Sequence, residues 1–209
     1  MRVVRAEEPD AVATAARVLR DGGLVVFPTD TVYGVGAAVD RPEAVARLYV
    51  AKGRPLDRPI PVLISDLRQL ERLASEVTED VERLAHRFWP GALTIVVPAR
   101  EWLPREIVRD TAAVGLRMPD HPTALAIISA AGGAVATTSA NRSGEPEACT
   151  VEEAIAALGD AVDLYVDGGR TPGGIPSTVV ALEGGVLRVL RHGALDPVLI
   201  ERVLQERHS

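Results

Sequence analysis

Short apolar runs and segments with helical periodicity alternate along most of the chain. In residues 9–22, Val12, Ala15 and Leu19 share one face of a helix that the following glycine pair would end. Residues 24–27 form a continuous apolar run, which is the pattern of a short buried strand. The same reasoning predicts further strands at 32–39, 60–64, 93–97, 112–117, 134–138, 164–166, 178–182 and 186–190. It also predicts helices at 42–51, 67–73, 81–88, 122–130 and 150–158, and a final helix capped by Asp196.

This interleaving of strands and helices predicts an α/β fold (α+β in some schemes). The last two strands flank Glu183-Gly184-Gly185, a hairpin signal, so we expect parallel and antiparallel pairs in one mixed sheet. A length of 209 residues, with 47% hydrophobic and 25% charged residues, is typical of one globular domain with a substantial core. We therefore expect a twisted, helix-covered sheet in a single domain, residues 1–209, without an additional C-terminal domain.

Composition excludes several classes of function. The net charge of −6 argues against a protein that coats nucleic acid or an anionic membrane, and 3% aromatic residues are too few for a base-stacking platform. The lone Cys149 excludes an internal disulfide framework. The sequence contains neither a signal-peptide pattern nor a run of roughly 18 apolar residues, so we expect a cytoplasmic protein without membrane contact.

The segment 51–59 concentrates three cations and two prolines in nine residues. Gly53 can end the preceding helix, and Pro55 disfavours helical backbone at Arg54. In extended backbone, Lys52 and Arg54 would leave on the same side. The segment therefore predicts a stiff, non-helical finger that presents positive charge to an anion, and a solvated basic turn is the alternative.

Several common catalytic motifs are absent from the sequence. There is no P-loop, no Gly-x-Ser-x-Gly elbow, and no histidine pair with the spacing of a zinc site. Gly34-Val35-Gly36 begins a dinucleotide fingerprint, but Val39 stands where the third glycine belongs. We interpret this glycine pair as a tight bend between strands.

Polar side chains recur where predicted strands end. Each alone has a simpler explanation, such as a turn, a snorkelling arginine or a loop that satisfies its own backbone. Together they predict a ligand site, because ligands of helix-covered sheets bind at strand ends. The groups are Thr29-Asp30-Thr31, Arg117, the alternating Thr137, Ser139, Asn141 and Ser143, Ser177-Thr178, and Arg191.

Six motifs occur in a characteristic order: Val26-Phe27-Pro28-Thr29-Asp30-Thr31-Val32-Tyr33-Gly34, Lys52-Gly53-Arg54-Pro55, Phe88-Trp89-Pro90-Gly91, Gly115-Leu116-Arg117-Met118-Pro119, Thr138-Ser139-Ala140-Asn141 and Ser177-Thr178-Val179-Val180. In this combination the chain resembles the YrdC-like family, over about residues 8–195. The pairing of Lys-x-Arg with Ser-x-Asn, with an Arg-x-Pro between them, is the specific part of this resemblance.

The resemblance implies a threonylcarbamoyl-AMP synthase with a sheet curled around a large, positively charged cavity. Such an enzyme joins L-threonine, bicarbonate and ATP, with Mg²⁺ on the phosphates, into threonylcarbamoyl-AMP and pyrophosphate. The product supplies the downstream tRNA threonylcarbamoyl transferase machinery, and the fold also allows weak binding of tRNA. The metal ligands stay unassigned.

Residue roles follow from the same motif positions. The resemblance implies catalytic roles for Lys52, Arg54, Ser139 and Asn141. It implies ATP binding by Lys52, Arg54, Arg58, Ser139, Asn141 and Arg191, and threonine binding by Thr31, Arg117, Thr137 and Ser177. Arg117 would hold the threonine carboxylate, because a guanidinium matches a carboxylate with two parallel hydrogen bonds.

Two positions depart from the family pattern. Leu63 stands where many relatives have a histidine, and Arg191-His192-Gly193 replaces the usual Arg-Pro-Gly. Two alternatives to the synthase also stand: an RNA-binding module that uses the same cavity, and a paralogue of the same fold without synthase activity. The acidic balance and the few aromatic residues count against the first, and the intact Lys52, Arg54, Ser139 and Asn141 count against the second.

Overall fold

Ten strands form one sheet in residues 2–206, the part of the chain that the computed structural model describes. The strands are β1 (Arg2–Arg5), β2 (Val25–Phe27), β3 (Gly34–Ala38), β4 (Val62–Ile64), β5 (Leu93–Pro98), β6 (Ala113–Arg117), β7 (Ala134–Ser139), β8 (Leu164–Asp167), β9 (Thr178–Glu183) and β10 (Val186–Arg191). From edge to edge their order is β1-β8-β2-β3-β7-β4-β6-β5-β9-β10. Parallel and antiparallel pairs occur together, which confirms the predicted mixed sheet.

Eight α-helices connect and cover these strands within the described residues. None of them is long and apolar enough to cross a membrane. The helices are α1 (Ala11–Arg20), α2 (Pro42–Lys52), α3 (Arg68–Leu73), α4 (Glu79–Phe88), α5 (Arg105–Val108), α6 (Pro122–Ala130), α7 (Val151–Leu158) and α8 (Pro197–Gln205). A single 3-10 turn at Gly159–Ala161 follows α7.

The sheet buries apolar side chains on both faces, because successive residues of a strand point in opposite directions. In β2, Val26 packs into the larger core, which also contains side chains of α2, α4, α7 and α8. Its neighbours Val25 and Phe27 pack into a smaller core with α1 and α6. Leu63 of β4 belongs to this smaller core and also lines the main cavity. The cavity therefore opens on the sheet face that α1 and α6 cover in part.

The predicted elements are confirmed, with two short ones missed. The strand β1 has only four residues and two of them are arginines, so its sequence carries no apolar run. It exists because it pairs in parallel with β8, a contact between distant parts of the chain. Helix α5 is a single turn of four residues, too short to show helical periodicity.

Two local predictions about backbone conformation were wrong. Lys52 is the last residue of α2 and not part of an extended segment. Gly53, with its left-handed φ of 59°, ends the helix, and the chain then turns at residues 56–58, where the Arg58 amide donates to the Pro55 carbonyl oxygen. Gly34 and Gly36 do not form a bend but lie within β3, next to β7. A Cβ at Gly34 would lie 2.8 Å from Thr137 Cγ2, and one at Gly36 would lie 2.7 Å from Val135 Cγ1. These glycines let β7 side chains pack closely over β3.

Candidate active site

One cavity of about 310 Å³ brings all the predicted site residues together. They come from six separate stretches of the chain, between Thr31 and Arg191. The structure therefore supplies the convergence that the sequence predicts, while the role of each side chain stays a prediction. The ten residues are Thr31, Lys52, Arg54, Arg58, Arg117, Thr137, Ser139, Asn141, Ser177 and Arg191.

The strand register explains how distant residues meet on one face. Gly34 pairs with Ser139, and Leu63 pairs with Arg117. Residues paired laterally across a sheet point to the same face, so these positions form a continuous surface. Thr94 of β5 adds a hydroxyl to it, 2.8 Å from the Ser177 hydroxyl.

Lys52 enters the cavity wall from the C-terminal turn of α2 and is 3% exposed. Its ammonium donates to the carbonyl oxygens of Ser139 and Asn141, and to Asn141 Oδ1 at 3.2 Å. Burial, and secondly the charge of Arg54, lower the pKa of Lys52 from about 10.5 to about 7, while Glu147 acts in the opposite direction. Carbonyl oxygens, and no carboxylate, surround this cation at hydrogen-bond distance.

Asn141 organises the turn after β7. Its Nδ2 donates to the carbonyl oxygens of Arg142 at 3.1 Å and Glu145 at 2.6 Å. The Ser143 amide donates to the Lys52 carbonyl oxygen at 2.9 Å. We call residues 139–145 the 139–145 loop. It is attached to the end of α2 through both the backbone and the side chain of Lys52.

Arg54 and Arg191 approach the cavity from different elements. Arg54 donates to the Pro59 carbonyl oxygen at 2.8 Å, and Arg191 donates to the carbonyl oxygen of Ser177 at 2.8 Å and to its hydroxyl at 3.1 Å. Burial lowers the pKa of both guanidinium groups, and the charge of Arg191 contributes to the lowering at Arg54. Two like charges thus share the cavity.

Arg117 is held from three sides. It donates to the Gly91 carbonyl oxygen at 2.9 Å, to the Thr31 hydroxyl at 3.1 Å and to Asp30 Oδ1 at 2.5 Å. Its side chain is 7% exposed and that of Asp30 is 15% exposed, so this is a buried ion pair. Burial lowers the pKa of Arg117, and Asp30 opposes that shift. Three of its five N–H groups bind within the protein, which leaves two for a ligand.

The sequence analysis did not assign several cavity residues. Thr94 had a weak signal, because it interrupts the apolar run of β5, and it is 2% exposed. Glu145 and Glu147 lie in a loop, and no motif in the sequence marks these two glutamates as site residues. They place two carboxylates beside five cationic side chains. The predicted positive charge of the cavity is therefore partly offset and stays a prediction.

The described residues contain no group of three or more His, Cys, Asp or Glu side chains that could hold a metal ion. These residues do not fit a metal ion held by the protein alone.

The protein is thus a mixed α/β domain in which cationic, acidic and hydroxyl side chains gather in one cavity. A family model described as "Telomere recombination", named for Sua5, YciO and YrdC, matches residues 17–193. The chain therefore belongs to the Sua5/YciO/YrdC family.

Similar proteins agree with this placement. A Bacillus subtilis protein named threonylcarbamoyl-AMP synthase is 41% identical, over 94% of this chain and 57% of its own length. A Pyrococcus abyssi protein of the same name is 42% identical, over 93% of this chain and 57% of its own length. The crystal structure of P. abyssi Sua5 complexed with L-threonine matches with a TM-score of 0.91 at 41% identity, over 97% of this chain and 60% of that one. The chain thus spans little more than half the length of these relatives.

Proposed function

We propose that this chain is an L-threonylcarbamoyladenylate synthase, a nucleotidyltransferase that acts on L-threonine, bicarbonate and ATP. The observation that carries the proposal is the convergence of ten side chains from distant parts of the sequence on one cavity. The names of relatives at 41 and 42% identity, and a related structure solved with L-threonine, support the choice of reaction. Because ATP is a substrate, we also propose a cytoplasmic location.

The reaction has two chemical steps. The threonine amine and bicarbonate combine into N-carboxythreonine with loss of water. A carboxylate oxygen of that carbamate then attacks the α-phosphorus of ATP, and the bond from this phosphorus to the pyrophosphate oxygen breaks. The carbamate is already an anion, so the second step needs no general base, and catalysis consists of positioning and charge stabilisation.

The cavity residues divide between the two substrates. Thr31, Arg117, Thr137 and Ser177 hold threonine, and the two free N–H groups of Arg117 bind its carboxylate. Arg54, Arg58 and Arg191 bind the phosphates, since bringing several negative charges into a poorly solvated cavity is unfavourable without counter-charge. Lys52, Ser139 and Asn141 line the same cavity and are assigned to the nucleotide. Mg²⁺ enters with ATP, carried by the phosphates.

The proposal extends to the rest of the pathway. Residues 1–209 would form one domain that carries the whole site. The product is a mixed anhydride of a carbamic acid and AMP, so an acceptor nucleophile must consume it, and we propose the tRNA threonylcarbamoyl transferase machinery. Weak direct binding of tRNA is a part of the proposal that can be tested separately.

The decisive experiment measures pyrophosphate release with all three substrates and with each one omitted. We expect release only with threonine, bicarbonate and ATP together. Lys52→Ala and Arg54→Ala should each strongly reduce it, to a residual rate that can still be measured, while circular dichroism shows an intact fold. Release that does not depend on threonine, or unaltered turnover in both variants, would contradict the assignment. Salt-dependent tRNA binding without any turnover would favour an RNA-binding module.

A further inference from the structure

The number of N–H donors on the Lys52 ammonium equals the number of oxygen acceptors around it. A lysine ammonium carries three N–H groups, and here three oxygens accept from it: two backbone carbonyls and Asn141 Oδ1. The residue is 3% exposed. In this conformation no N–H of Lys52 is left for a phosphate. Its placement in the cavity therefore needs another explanation than direct contact with the ligand.

All three acceptors belong to the 139–145 loop. The Lys52 carbonyl oxygen also accepts from the Ser143 amide, so backbone and side chain bind the same loop. Asn141 completes the connection, because its Oδ1 accepts from Lys52 while its Nδ2 donates across the loop to the Glu145 carbonyl oxygen. Without the ammonium, three buried or half-buried oxygens that now converge on one point would lose their partner.

The loop held in this way contains two backbone amides without an acceptor among the described residues. Asn141 and Gly144 both line the cavity, and within residues 2–206 neither backbone amide donates to a protein acceptor. Gly144 has a φ of 89°, the left-handed conformation that occurs in backbone turns that bind anions. Adding a Cβ to Gly144 would meet no atom within 4 Å, so the space beside this residue is open.

We propose that Lys52 is a positioning residue, which holds the 139–145 loop so that the loop's backbone amides bind the phosphates of the nucleotide. The phosphate part rests on the proposed function. The bracing part concerns the protein without any ligand and stands independently. Lys52 then acts through the loop, whereas Arg54, two residues further on, donates to the carbonyl oxygens of Arg58 and Pro59 and takes no part in holding that loop.

The first test measures amide hydrogen exchange by NMR in the ligand-free protein. Lys52→Met keeps the length of the side chain and removes the ammonium. We expect at least about tenfold faster exchange at the Ser143 and Glu145 amides, which donate to the carbonyl oxygens of Lys52 and Arg142, and no change at Thr137 in the adjoining strand. Arg54→Met is the matched control and should leave these amides unchanged. Unaltered exchange in Lys52→Met would overturn the proposal.

A second variant covers the case in which Lys52→Met does not fold. Lys52→Gln keeps two N–H donors on a shorter side chain, so it should fold and still show faster exchange at Ser143 and Glu145. If Lys52→Gln folds with exchange like that of the wild type, the bracing role is wrong.

The third measurement is a double-mutant cycle on pyrophosphate release. If Lys52 acts through the loop, Lys52→Met and Asn141→Ala remove the same arrangement. The double variant should then be within about threefold of the worse single variant, because coupled residues are not additive. We expect the loss to appear in the KM for ATP and not in that for threonine. Multiplying losses would show that Lys52 acts on the ligand directly. If the wild type shows no turnover, the proposed function is refuted. The hydrogen-exchange measurements alone then test whether Lys52 holds the loop.

Discussion

At the scale of single residues, the ion pair of Arg117 and Asp30 shows how a charge can be kept inside the domain. A buried cation is stable only where hydrogen bonds and an opposite charge replace the water it has lost. Arg117 has all three partners it needs: a carboxylate, a hydroxyl and a backbone carbonyl. The pair of Arg105 and Asp110 has none of this burial, since its side chains are 80% and 87% exposed.

The first prediction compares these two ion pairs. Asp30→Ala leaves the Arg117 charge buried without its partner and should lower the free energy of unfolding by about 3–5 kcal/mol. Asp110→Ala, in the exposed pair with Arg105, should change it by less than about 0.5 kcal/mol, because exposed pairs contribute little. Urea denaturation at pH 7 measures both. The double variant Asp30→Ala/Arg117→Met should recover most of the loss, and an additive loss would contradict this account.

The second prediction uses the lowered pKa of Lys52. With a pKa of about 7, Lys52 is mostly deprotonated at pH 8, and a bound polyanion raises that pKa. Binding of ATP should therefore take up a fraction of a proton between pH 7 and pH 9. Calorimetry in two buffers of different ionisation enthalpy detects this uptake. Lys52→Met should remove it, and Arg58→Met, which leaves the lysine in place, should retain most of it.

The same shift has a consequence for stability. Lys52 titrates near 7 in the folded chain and near 10.5 in the unfolded chain, so the unfolded chain binds more protons between these values. The folded state therefore gains stability from this residue as pH rises from about 7 to 10.5. Lys52→Met should flatten this part of the stability profile.

At the scale of elements, the sequence predicts the helices and strands that are marked by a local pattern of residues. Helix α7 has a Thr150–Glu153 capping box, and the hairpin of β9 and β10 has a glycine turn. Strand β1 was missed because only its pairing with β8 makes it a strand. Lys52 was predicted to lie in the non-helical segment. Gly53 ends α2 only after Lys52, so this residue is still helical.

The third prediction concerns close packing at β3. A Cβ at Gly36 would lie 2.7 Å from Val135 Cγ1 and 3.0 Å from Phe27 Cε1, two groups of the smaller core. Gly36→Ala should therefore lower the free energy of unfolding by about 1–3 kcal/mol, the usual effect of overpacking. Gly115→Ala is the matched control in β6, because its nearest neighbour would be 3.1 Å away and is one methyl group of Thr94. Its cost should be clearly smaller in the same urea titration, and equal costs would rule out packing at Gly36 as the cause.

At the scale of the whole molecule, a single sequence gives the least direct information on which distant side chains meet in one cavity. The strand-end pattern and the family resemblance together identified ten cavity residues, but not that Lys52 and Asn141 bind each other. Thr94 and Glu147 were missed because their contribution depends on strand register and loop path, which no local pattern encodes. The chain carries a net charge of −6, yet five cationic side chains line this one cavity.

The fourth prediction follows from that distribution of charge. ATP is a polyanion and should bind more weakly as NaCl rises from about 50 to about 300 mM, because salt screens its attraction to the partly exposed arginines. Threonine is a zwitterion, so its affinity should change much less over the same range. Titration calorimetry with each ligand separately measures both affinities. Affinity for ATP that is independent of salt would argue against binding by these cations.

The sheet order brings β7 between β3 and β4, and β9 beside β5, although these strands are far apart along the chain. Pairings across such long separations form slowly, because the intervening chain must first lose much of its freedom. During synthesis on the ribosome, residues near Thr31 emerge long before those near Arg191. A half-made chain therefore lacks part of the cavity wall, and the complete cavity exists only once the last strands have docked.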